Sequence, residues 1–105
     1  MKYREFLSLT DEEIRFILTD IFNPTKIENI QRDKNWNKIT ADITTNITID
    51  EQDFEITRQA VLSPSAIAVN DYYEYENQLK WRKFLLAKGC DERLKDNPYL
   101  EEWYV

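Results

Sequence analysis

The chain has no histidine, one cysteine and one glycine in 105 residues, and each shortage closes off a class of chemistry. Without histidine the commonest general base and the commonest metal ligand are missing, which excludes thiol–histidine catalysis and zinc chemistry. A lone thiol, Cys90, makes no internal disulfide, and with nothing to activate it a buried, inert thiol is expected. One glycine, Gly89, leaves no phosphate-cradling loop, no serine elbow and no dinucleotide fingerprint. It also means that asparagines must serve most positions where the backbone needs a positive φ. No apolar run approaches the roughly 20 residues of a membrane span. The opening MKYREFLSLTDEE carries charges where a secretory signal has its apolar stretch, so a cytosolic location is expected.

What is present is globular. Hydrophobic residues make up 42% and aromatics 13% of the chain, values of a folding sequence rather than a disordered one, and 105 residues is the size of one domain. A single domain over residues 1–105 is the expectation. Twenty acidic against 14 basic residues give a net charge of −6, a field that repels phosphate backbones and anionic lipid. The one basic grouping, Lys80, Arg82, Lys83 and Lys88, interleaves with Trp81, Phe84, Leu85 and Leu86 and reads as the solvated rim of a helix. Direct nucleic-acid or membrane binding is not expected.

Thr10 followed by Glu13 forms a capping box, with Leu9 and Ile14 as its hydrophobic staple. A helix therefore starts at Thr10, buries Ile14, Ile17, Leu18, Ile21 and Phe22, and ends at Asn23 before Pro24. Phe16 lies off the stripe, where Tyr3, Phe6 and Leu7 are placed to cover it. KIENIQR reads as a short, imperfect strand, and RDKNW as a turn with Asn35 the best left-handed position.

From Trp36 to Arg58 the period is two. Ile39, Ala41, Ile43, Thr45, Ile47 and Ile49 face one way; Thr40, Asp42, Thr44, Asn46 and Thr48 face the other. A four-residue loop from Asp50 to Asp53 would pair Ile49 with Phe54, Ile47 with Ile56, Ile43 with Ala60 and Ala41 with Leu62, and set Arg58 opposite Thr45. LSPS stops this third strand, and whether residues 65–69 join the next helix is left open. A long helix is expected from Asn70 or Asp71, with Asp71 and Glu74 as a second capping box and Gly89 as terminator. A short helical turn, a break at Asn97 and Pro98, and an aromatic arm follow. The fold class is α+β: helix, three-stranded antiparallel meander, long helix and C-terminal arm, αβββα in two layers.

The long helix carries two apolar stripes, Tyr72, Tyr75, Leu79 and Leu86 on one side and Tyr73, Trp81, Phe84 and Leu85 on the other. One stripe faces the sheet. The other is covered either by Tyr99, Leu100, Trp103 and Tyr104 of the same chain or by another protein, since large exposed aromatic patches mark interaction sites. Tyr73, Trp81, Phe84, Leu85, Trp103 and Tyr104 are thus the candidate partner-binding residues, for a second copy or a different protein. Asp50, Glu51, Asp53 and Glu55 form an acidic hairpin tip. It resembles no calcium loop; it either keeps the tip soluble and unpaired or presents spaced negative charge to a basic groove, as a nucleic-acid mimic would. Glu12 with Glu13 and Glu101 with Glu102 are sequence neighbours that diverge on a helix, so neither makes a convergent acid–base pair, and no enzyme activity and no cofactor are expected.

The order of elements is similar to that of double-stranded-RNA-binding domains, but Asp71, Glu74 and Glu76 stand where those domains open their last helix with lysines, so the likeness carries no function. Separately, FLSLTDEEIRFIL and LKWRKFLLAKGCDERLKDNPYL resemble small phage and prophage proteins of low-GC Gram-positive bacteria. That resemblance implies a bacterial cytosol and a role in phage assembly or in binding and modulating a host protein.

Overall fold

In the computed structural model, which describes residues 4–90, a 3-10 turn at Phe6–Ser8 leads into helix α1, Asp11–Phe22. Four strands follow, β1 Lys26–Asp33, β2 Lys38–Ile49, β3 Gln52–Leu62 and β4 Ile67–Val69, and then helix α2, Tyr75–Ala87. The strands lie in chain order in one antiparallel sheet. The fold is therefore α+β, with the α1 and α2 side chains packed on one sheet face. The expected C-terminal turn and arm, with Trp103 and Tyr104, lie outside the described residues.

The start of α1 follows from its capping box: Thr10 Oγ1 accepts from the Glu13 backbone N–H at 3.1 Å, and Glu13 Oε1 accepts from the Thr10 N–H at 2.9 Å. Its end follows from Asn23, which takes a left-handed conformation at φ 47°. Ile14, Ile17 and Leu18 are buried, while Ile21 and Phe22 are half-buried at the core edge. Glu13 also receives both guanidinium nitrogens of Arg4 and lies 3.4 Å from Lys88 Nζ, so one carboxylate joins the N-terminal segment, α1 and the end of α2. The Arg4 hydrogen bonds, aided by the Thr10 backbone and hydroxyl and opposed by burial, lower the Glu13 pKa from 4.5 to about 2.

The imperfection of the first strand has a physical form. Between Glu28 and Gln31 the register with β2 slips by one residue, and Asn29, at φ 53°, is the extra one. Its amide donates to Asp42 Oδ2 at 2.8 Å. The bulge lets Ile27 and Ile30, three apart, both pack against the core. In the next turn the left-handed residue is Asn37, at φ 49°, rather than Asn35. Asp33 Oδ1 accepts from the backbone of Asn35 and Trp36, closing an Asx turn that delays the reversal to Asn37.

The β2–β3 hairpin closes in two residues, not four. Asp50 and Glu51 both take positive φ, 51° and 65°, as in the primed turns that match strand twist. Ile49 consequently pairs with Gln52, Ile47 with Phe54, Thr45 with Ile56, Ile43 with Arg58 and Ala41 with Ala60. The correction shifts the register by two, which preserves which face each side chain occupies.

Two further corrections concern the chain after Leu62. The short strand β4 pairs with the end of β3, through a loop in which Ser63 N–H donates to Ala66 O at 2.8 Å. This fourth strand departs from the expected three-stranded meander. Helix α2 then starts at Tyr75 rather than Asp71, because Asn70 and Asp71 take φ of 49° and 64°, which no right-handed helix accommodates, and fold Tyr72 back against Val69. Glu74 is the N-cap, with no side-chain cap bond. Gly89, at φ 79°, terminates the helix as expected.

The core joins Phe6 and Leu9, the α1 stripe, Ile39, Ala41, Ile43, Ala60, Leu62, Ile67 and Val69 of the sheet, and Trp81, Phe84 and Leu85 of α2, with Cys90 buried beside them in no disulfide. Phe6 meets Trp81 edge-on at 5.9 Å between ring centroids, and Trp81 stacks on Phe84 at 5.6 Å. Phe16 is 65% exposed and stacks on Phe84 at 6.4 Å, instead of lying under the N-terminal residues.

Candidate functional site

Length decides what this core leaves uncovered. A 12-residue helix such as α1 is about 18 Å long, whereas a 12-residue strand such as β2 runs about 40 Å. Neighbouring strands stop short as well. Lys26 of β1 pairs no further along β2 than Thr44, and Ile67–Val69 of β4 reach β3 only at Ala60, Val61 and Leu62. Among the described residues the far part of the hairpin, residues 45–57, is thus a two-stranded ribbon that extends about 17 Å beyond the rest of the sheet.

This arm keeps the alternation of the core strands without the cover. Ile47, Ile49, Phe54 and Ile56 continue the apolar face of Ile43, Ala60 and Leu62. Ile49 is 53% and Phe54 45% exposed. Thr45 lies on the same face, and its Oγ1 is buried with no hydrogen-bond partner among the described residues. The opposite face is polar: Thr48 Oγ1 donates to Asp53 Oδ1 at 2.7 Å, and the hydroxyls of Thr44 and Thr57 meet at 2.9 Å. Asp50, Glu51, Asp53 and Glu55 are exposed around the tip. From residue 39 to residue 57 the chain has five carboxylates and neither lysine nor arginine.

The expected partner stripe is redistributed. Trp81, Phe84 and Leu85 are buried in the chain's own core, Trp81 to within 1%, and the Trp81 indole N–H donates to Ser63 O at 2.8 Å. These three residues are core and not surface; α2 turns them toward β4 and α1. Tyr73 is exposed, but in the turn before α2 rather than on it. With Glu74, Tyr75 and Gln78 it lines a shallow cavity of about 410 Å³. Tyr72, Tyr75 and Leu86, assigned to the other stripe, are exposed. Trp103 and Tyr104 lie outside the described residues.

Gln78 was not legible as a structural residue. It is buried, its Oε1 accepts from the Ile67 N–H at 2.9 Å and its Nε2 donates to Ile67 O at 2.5 Å, so a side chain takes the place of the next strand on the edge of β4. Alternation puts Ile49 and Phe54 on the face of Ile39 and Ile43 and so predicts them as core, yet both are exposed. The signal against that reading was length, a dozen alternating residues against helices too short to cover them.

Among the described residues no group of three or more acidic or thiol side chains is placed to hold a metal ion, and no helix is long and apolar enough to cross a membrane. Compared with known proteins, the chain matches no family model, no curated protein and no solved structure.

Proposed function

We propose that this chain is a non-enzymatic protein-interaction protein of a phage or prophage, active in the bacterial cytosol, and that its docking element is the β2–β3 arm. The observation that supports this reading is the exposure of Ile49 and Phe54 on a ribbon that no other described element accompanies. An apolar strip held clear of the body gains nothing for the fold and much for a complex, since anchors of this kind dominate interface energies. The acidic tip surrounds the strip and biases it toward a protein surface of opposite charge.

The test compares the intact chain with an Ile49→Asp, Phe54→Asp double variant as immobilised baits in cytosolic extract of a low-GC Gram-positive bacterium. A protein retained by the intact chain and lost by the folded variant supports the reading. Identical retained sets contradict it.

A second reading rests on the charge pattern alone. An arm with four carboxylates and no base also suits an inhibitor that occupies the basic groove of a nucleic-acid-processing enzyme. It predicts binding that weakens steeply with salt and with Asp50, Glu51 and Asp53 changed to their amides; salt-independent binding would sink it.

A further inference from the structure

Resting on the reading of the arm as the docking element, we infer that one occupant of its open β2 edge is the same edge of a second copy, joined antiparallel about Ile47. The backbone direction specifies which groups are available. In an antiparallel strand the N–H and C=O of one residue point to the same side, and Thr44 O accepts from Thr25 N at 2.8 Å, so even-numbered residues of β2 point away from β3. Asn46 and Thr48 therefore direct their backbone groups at the open edge, and β1 begins too late to meet them. A second β2 strand with Ile47 opposite Ile47 sets Asn46 against Thr48 in both directions. Every outward N–H and C=O of the two residues is then satisfied by its counterpart.

The side chains agree with that pairing. Residues 45–49, Thr-Asn-Ile-Thr-Ile, contain no charge, proline or glycine, none of the devices by which natural edges prevent pairing. The other edge of the arm, on β3, carries charge along its length, at Asp53 and Glu55, and a self-pairing centred on Glu55 would oppose Glu55 to Glu55. In the β2 pairing the strand partners end at Ile49, because the next place, opposite Thr44, is held by Lys26 of the other copy's β1, and the two-residue turn of Asp50 and Glu51 bends aside there and meets that lysine. That lysine is exposed and at present bridges Glu28 at 2.5 Å. Each tip also brings Ile49 to the end of the other copy's α1, where Ile21 and Phe22 are only half-buried. The contact is isologous and closes as a dimer.

The test is solution mass by light scattering over a concentration series, for the intact chain and for Thr48→Pro. Proline removes an N–H that points to the open edge and leaves the β2–β3 ladder intact. The intact chain is expected to reach twice the mass of one chain and the variant to remain single. Lys26→Glu supplies a control that leaves the two pairing β2 strands untouched: it should weaken the dimer by about tenfold, and Glu51→Lys in the same chain should restore it. An intact chain that stays single up to its solubility limit overturns the pairing without touching the arm's role toward other proteins. A dimer that survives Thr48→Pro and Lys26→Glu but is lost in Phe54→Asp overturns the edge pairing and keeps the arm. A dimer indifferent to all three overturns both.

Discussion

Three side chains act beyond what their residue types suggest. Gln78 satisfies both backbone groups of Ile67 in a buried setting, so Gln78→Ala leaves two polar groups unpaired and should cost about 2–3 kcal/mol in urea unfolding. Thr45 is the reverse case, a buried hydroxyl with no partner among the described residues on an otherwise apolar face. Thr45→Val keeps its shape and should stabilise the chain by about 1 kcal/mol, read as a raised urea midpoint. Glu13 links stability to pH. Its pKa is lower in the folded chain, about 2 against 4.5, so its contribution is complete above about pH 4.5 and is lost as pH falls toward 2. The stability difference between the intact chain and Glu13→Gln should shrink over that window and be constant at higher pH. None of these three roles was legible in the sequence, because each depends on what folding brings alongside: the Ile67 backbone beside Gln78, the Arg4 guanidinium beside Glu13, and no polar partner among the described residues beside the Thr45 hydroxyl. The Thr10–Glu13 box was legible, because it is local.

At the scale of elements, what was read correctly depended on nearest neighbours along the chain, and what was misread depended on left-handed backbone. The two faces of β2 and β3 follow from alternation, and α1 follows from its caps and stripe. The loop lengths do not. With one glycine available, asparagines take most of the other positive-φ positions, at Asn23, Asn29, Asn37 and Asn70, though not at the expected Asn35, and Asp50, Glu51 and Asp71 take the rest among the described residues. That shortens the β2–β3 turn to two residues and turns the start expected for α2 into a tight reversal. Glutamate is a poor occupant of this conformation. Glu51→Gly should therefore raise stability by about 1 kcal/mol with the register unchanged, measured by thermal unfolding and by cross-strand contacts in NMR spectra. A destabilised hairpin would show that Glu51 makes a contact worth more than its backbone strain.

For the whole molecule, the governing mismatch is between strand length and helix length. Two helices of 12 and 13 residues cover the half of the sheet where four strands lie side by side, and their aromatic stripe is consumed in doing so. Trp81→Ala should accordingly act on the fold, costing about 3–5 kcal/mol of stability, where a surface role would have spared it. On the proposed reading, the element offered to a partner is the arm. The double variant Ile49→Asp, Phe54→Asp should melt within a few degrees of the intact chain, because the side chains it alters are already half in water. The measurement that bears most directly on the arm is amide hydrogen exchange at low and at high protein concentration. Protection of Asn46 and Thr48 should rise with concentration while the amides of α1 stay unchanged. Protection that rises instead around Tyr72, Tyr75 and Leu86, with Asn46 and Thr48 exchanging equally fast at both concentrations, would contradict the assignment.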